Sequence, residues 1–93
     1  MDIDDVIAQS FNTTKELMKS RSRLRVHADG RKFGMWYRLV CLGETHKSSG
    51  SHYGRDHSTV VWAKNLVPQL MKTDKFFKEK AERALKLLEQ LKL

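Results

Sequence analysis

The sequence predicts an all-α domain, and three features predict it. Apolar residues recur three and four positions apart through most of the chain. Helix start and stop signals stand between the apolar runs. Hydrophobic residues make up 40% of the 93, enough for one domain with a modest core.

Asp2, Asp4 and Asp5 open a first helix, where negative charge suits the positive end of the helix dipole. Ile3, Val6-Ile7 and Ser10-Phe11 follow at helical spacing, and Asn12 ends the element. Thr13 or Thr14 can cap a short second helix through Met18, with Leu17 and Met18 closing onto the first. Next comes Lys19-Ser20-Arg21-Ser22-Arg23-Leu24-Arg25, four cations in seven residues with no acid among them. Packed like charges repel, and a phosphate backbone relieves that repulsion. The plain alternative is a solvated loop. In an extended segment the alternation sets several of these cations on one side.

Asp29 or Gly30 is expected to begin a third helix reaching about Leu42. Phe33, Trp36-Tyr37 and Val40-Cys41 form its apolar stripe, and Arg31, Lys32 and Arg38 lie off it. Phe33 and Trp36 read as core, because the stripe needs them. Cys41, the single cysteine, cannot form an internal disulfide and is expected as a buried small hydrophobe. Gly43 ends the helix. Glu44 to Tyr53 must then supply another helix and a turn. Ser48 and Ser49 are poor core residues, so this helix is expected to be short or irregular.

The stretch Tyr53-Gly54-Arg55-Asp56-His57-Ser58-Thr59-Val60-Val61 organises the rest. Gly54 punctuates the backbone. Asp56 can cap a helix, since its carboxylate accepts from the free N–H groups of the first turn. That helix is expected from about Asp56 to Val67. Its first turn is polar, and Val60-Val61, Ala63 and Leu66-Val67 supply a buried face. Trp62 can be core or DNA-facing, with core-edge packing preferred, and Pro68 is expected to end or kink the helix. Thr73 or Asp74 caps a last helix through Leu93. There Phe77, Ala81, Ala84, Leu88 and Leu91 step by four and three. This seam is too short for a convincing coiled coil. It is expected to dock on its own domain, with a dimer or protein partner through residues 75–93 as the alternative. The expected division is a domain over residues 1–72 and a packed amphipathic helix over 73–93.

Gly54-Arg55-Asp56-His57-Ser58-Thr59-Val60 resembles the signature that opens the recognition helix in the C-terminal DNA-binding domain of the DnaA family, the bacterial replication initiators. Val6-Ile7-Ala8 to Phe11-Asn12, Glu16-Leu17 and Lys19-Ser20-Arg21-Ser22-Arg23 are similar to the family's first helix, short second helix and basic loop, in that order. The resemblance runs over roughly residues 3 to 67. Between Gly43 and Arg55 only Gly50 and Tyr53-Gly54 keep the family pattern.

The resemblance implies a helix-turn-helix domain, Trp-repressor-like, with an extra C-terminal helix, acting as a monomer on a short non-palindromic duplex site, in replication initiation or its control or in transcription regulation. Asp56, His57, Ser58 and Thr59 would meet base edges in the major groove. In direct-readout chemistry a carboxylate accepts from cytosine N4, and His57 and Thr59 would meet thymine methyls or base-edge groups. Arg21 or Arg23 would enter the minor groove. Lys19, Arg25, Arg31, Lys32, Arg38, Lys47 and Arg55 would hold phosphates.

Charge agrees with that partner. The formal net charge is +7 and the sequence pI about 9.8, which suit a polyanion. Asp56, His57 and Ser58 are consecutive, so on a helix they diverge by about 100° each and cannot form a hydrolytic relay. His27, His46, His52 and His57 show no metal spacing with Cys41. No phosphate-cradling Gly-x-x-x-x-Gly-Lys-(Ser/Thr) loop occurs. No catalysis, cofactor or metal is therefore expected. The ATPase of a full initiator is absent, as in a free-standing module or an excised domain. No apolar run approaches a membrane span and the start is acidic, so the expected location is the cytoplasm, at the nucleoid. Two rival functions remain. One is a protein-interaction module, working through the last helix, whose nucleic-acid binding is degenerate. The other is a charge-driven binder of RNA or membrane surfaces.

Overall fold

A computed structural model describes residues 2–91. Among these the regular elements are all helical. They are α1 (Ile3–Ser10), α2 (Lys15–Lys19), α3 (Arg25–Trp36), a π-helical continuation of α3 (Tyr37–Cys41), α4 (His46–Ser51), α5 (His57–Thr73) and α6 (Lys75–Leu91).

Caps set most of the boundaries. Asp2 and Asp5 form a reciprocal capping box at the start of α1. Asn12 leaves that helix through a left-handed backbone, φ 59°. Thr14 caps α2, Thr45 caps α4 and Asp56 caps α5, each accepting from the backbone N–H three residues on. Asp74 accepts from the N–H groups of Phe76 and Phe77 and so starts α6. Its expected end at Leu93 lies outside the described residues.

One core serves all six helices. Phe11 touches Phe33 at 5.3 Å and Phe77 at 5.4 Å between ring centroids, joining α1, α3 and α6. Val60, Ala63 and Val67 of α5 and Phe77, Ala81, Ala84 and Leu88 of α6 fill the remainder. Such ring pairs add about 0.5–1.5 kcal/mol beyond the area they bury. The apolar seam of α6 is therefore used within the domain, while Phe76 and Leu91 stay exposed.

Three expectations are corrected. α3 begins four residues before Asp29, at Arg25, with no side-chain cap on its first turn. Asp29 lies inside the helix and pairs with Arg25 and Lys32. Pro68 does not end α5, which continues to Thr73. Pro68 is exposed, so the carbonyl that loses its partner can tilt toward water, and buried Val67 with part-buried Leu70 and Met71 holds the helix across it.

The third correction is the π-turn. Leu42 N–H reaches back to Tyr37 O at 3.1 Å, an i→i+5 bond. The wider turn shifts the phase of every later side chain. Val40 and Cys41, expected in the stripe, are exposed, Val40 at 50%. Arg38, expected at the surface on phosphate, turns inward, its side chain only 9% exposed.

The buried Arg38 is matched to partners. Its Nη2 donates to Asp4 at 3.0 Å and its Nη1 to Glu44 at 3.1 Å. The Tyr53 hydroxyl donates to the same Asp4 carboxylate at 2.6 Å. Burial pushes the Tyr53 phenol well above its ordinary range, so it remains a neutral donor. Gly34 makes room for that ring, since a Cβ there would strike the Tyr53 hydroxyl. This polar knot ties α1, the π-turn and the end of α4 together.

α4 is short but formed. Small residues let it approach α5: a Cβ at Gly50 would strike the Arg55 carbonyl and Val60. Ser49 is fully buried, and among the described residues its Oγ has no hydrogen-bond partner. Relieving an unsatisfied buried hydroxyl is favourable, so Ser49→Ala is expected to raise stability by about 1 kcal/mol. Urea unfolding should show a higher midpoint at unchanged slope; a lower midpoint would contradict this.

Candidate nucleic-acid interface

The first turn of α5 and the basic loop after α2 meet on one face. Asp56 shapes the start of α5. Its Oδ1 accepts from the Thr59 N–H at 3.1 Å, the Ser58 hydroxyl at 2.8 Å and the Thr59 hydroxyl at 3.1 Å. The Ser58 bond, followed by those from Thr59, holds the Asp56 carboxyl below its usual range. His57 is exposed, and its ring stacks on His46 of α4 at 4.6 Å. Lys47 is exposed one residue further along α4.

Two arginines fix the basic loop by its own backbone. Arg31 of α3 donates to the carbonyls of Met18 at 2.6 Å, Ser20 at 2.9 Å and Ser22 at 3.1 Å. Arg55, in the turn before α5, donates to Tyr53 O at 2.7 Å and to the same Ser20 O at 2.9 Å. Burial, and then the charge of Arg55, pull the pKa of Arg31 below its ordinary value. Two guanidinium groups on one carbonyl leave an excess of positive charge there, which favours a nearby anion.

The loop so held faces α5 across a cleft of about 560 Å³. Arg21, Ser22 and Arg23 form one wall, and Gly54, Arg55, Thr59 and Trp62 the other. Ala28, Arg31, Lys32 and Met35 of α3 form the floor. Among the described residues Arg21 and Arg23 make no ion pair or side-chain hydrogen bond, and both are exposed.

The expected contact residues thus separate into groups. Arg21, Arg23, Lys32, Arg55 and Thr59 line one cleft, while Asp56, His57 and Ser58 stand at the head of α5 outside its lining. Lys47 is near them through the His46–His57 stack. Arg31, expected on phosphate, lines the cleft but is buried, and its Nε and Nη2 donate to three carbonyls of the loop it holds. Arg38 is removed altogether by its ion pairs. Lys19 lies 3.5 Å from Asp4, Arg25 pairs with Asp29 and Asp74, and Lys32 lies 3.4 Å from Asp29, so all three would have to leave acids to reach a phosphate. Trp62, expected at the core edge, is 51% exposed and belongs to the cleft. Its signal was legible, since Trp62 stands three residues after Thr59 and so on the same helical face.

Among the described residues no cluster of three or more His, Cys, Asp or Glu gathers, and no helix is long and apolar enough to cross a membrane. A short helix, a tight turn and a longer helix with a polar first turn, packed on a helical core, define the helix-turn-helix class. The family model described as the bacterial dnaA protein helix-turn-helix matches residues 1–67. The chain belongs to that family, whose members are DNA-binding domains.

Among similar proteins is the chromosomal replication initiator protein DnaA of Mesoplasma florum, 29% identical over 81 residues, covering 86% of this chain and 18% of its own length. That of Wolbachia pipientis wMel is 31% identical over 87 residues, covering 92% and 19%. That of Spiroplasma citri is 31% identical over 77 residues, covering 82% and 17%. The chain thus spans a little under a fifth of the length of these relatives.

Proposed function

We propose that this chain binds double-stranded DNA at a specific sequence, in replication initiation or its control. The first turn of α5 lies in the major groove and Arg21 or Arg23 in the adjacent minor groove. Residues 1–72 form the binding unit, and residues 73–93 complete its core. It acts as a monomer, in the cytoplasm at the nucleoid, with no catalytic step of its own. The observation that carries the reading is the cleft. The two loop arginines that are not tied down, Lys32 and Thr59 of the first turn of α5 line it together, an arrangement suited to phosphates with base edges beyond them.

Selection of bound sequences from a random duplex pool tests it directly. Recovery of one short motif supports the reading, and an unenriched pool overturns sequence specificity. Asp56 supplies the finer test. Asn caps about as well as Asp, so Asp56→Asn should melt like wild type. Its amide can turn to donate where the carboxylate accepted from cytosine N4. Preference at one base pair should therefore fall by roughly 1–3 kcal/mol. Non-specific binding should not weaken, since a negative charge is lost. Single-base-substituted duplexes titrated at one salt concentration read this out. An unchanged preference profile would leave Asp56 as a cap only.

A further inference from the structure

Among the described residues Trp62 is the exposed large apolar side chain of the cationic cleft, whose other large apolar lining residue, Met35, is buried. It stands on α5 one turn beyond Thr59, half exposed, with Lys32 Nζ 5.2 Å from its ring centroid. Arg21 and Arg23 lie across the cleft. Nothing in the core requires the ring there, because Val60, Ala63 and Val67 already fill the buried face of α5. An indole left half in water, roofed by a cation and faced by two more, suits a ligand with anionic groups spaced along an apolar framework. A nucleic-acid strand is such a ligand: phosphates alternate with the carbon faces of deoxyribose.

We infer that Trp62 packs against the deoxyribose of the strand separating the two grooves, while Lys32 leaves the ring for the neighbouring phosphate. This rests on the duplex reading above. It assigns the cleft a sequence-independent apolar contact between the base-reading turn of α5 and the minor-groove arginines. A contact with sugar is blind to base identity and to counterions. Loss of the ring should therefore weaken all duplexes equally and leave the salt slope alone, whereas loss of Lys32 should lower the slope by about one.

The test uses the full chain. Trp36→Phe, at a part-buried position beside Phe33, leaves Trp62 as the only indole. A duplex carrying the selected motif is titrated and emission recorded. The Trp62 signal should change and saturate with binding. Trp62→Ala should weaken every duplex roughly tenfold at unchanged helicity, the scale for on the order of 50 Å² of apolar surface no longer withdrawn from water. Trp62→Phe should recover most of that loss. Duplex binding by the Trp36→Phe chain with no change in Trp62 emission would overturn the inference and leave the DNA reading intact. So would an undiminished affinity of Trp62→Ala. Preference for single-stranded over duplex oligonucleotide would overturn it in favour of base stacking. Failure of wild type to bind any duplex would instead remove the reading on which it rests.

Discussion

Replacing Asp4 with alanine is expected to cost about 3–5 kcal/mol of stability, because it leaves the Arg38 guanidinium buried beside no carboxylate but Glu44. Asp4 is only 5% exposed at its side chain, so little water can stand in for the lost oxygen atoms. The Tyr53 hydroxyl loses its acceptor in the same step. For a domain of this size each kcal/mol moves the melting temperature by roughly 4–8 °C, so thermal melting should show a fall of more than about 12 °C. Removing the stranded charge as well, in Asp4→Ala with Arg38→Met, should recover a substantial part of the loss. Equal losses in the single and double variants would show that the unpaired charge is not its source.

The second large effect is ionic. With Arg21, Arg23, Lys32 and Lys47 each neutralising one phosphate, log K should fall against log salt with a slope of about −3.6. Raising salt from roughly 50 to 200 mM then weakens duplex binding on the order of a hundredfold. Arg21→Ala with Arg23→Ala should bring the slope to about −1.8 and reduce the same salt effect to roughly tenfold. The loss should be larger on duplexes whose A/T-rich flank narrows the minor groove, where the potential draws arginine in. Arg38→Met should leave the slope where it was. Fluorescence anisotropy over that salt range checks all three, and a slope near zero in wild type would rule out the phosphate contacts.

Much of the fold was legible because its boundaries are set by single side chains with strong local chemistry. Asp56 could be read as a cap, Thr14 and Asp74 each as one of two neighbouring candidates, and Asn12 and Gly43 as exits, with positive φ at both. The start of α3 was not legible because no cap marks it; Asp29 offered a false one. The π-turn was hidden for a different reason. A single change of hydrogen-bond span leaves no residue signature, yet it exchanges the burial of Arg38 with that of Val40 and Cys41. Pro68 does not end α5, because the rule that proline stops helices gives way where the orphaned carbonyl faces water. At the site, the polar turn from Asp56 to Thr59 and the basic loop could be found from sequence. Which arginines hold the protein and which stand out from it could not, since that depends on carbonyl groups of a loop whose path no pattern reveals.

That division of labour has a geometric consequence. The Ser20 carbonyl receives one guanidinium from α3 and one from the turn before α5, so the loop cannot swing without breaking both bonds. In the proposed binding mode the gap between the tip of the loop and the head of α5 would be held near one span, and the domain would work as a calliper. Laid across a duplex as proposed, it fits only where one groove lies at the set distance from the next. A-form helices, with a deep, narrow major groove that side chains cannot read, offer a different spacing. Refusal of RNA duplexes would then come from the stiffness set by Arg31 and Arg55, two residues whose hydrogen bonds go to the protein's own backbone.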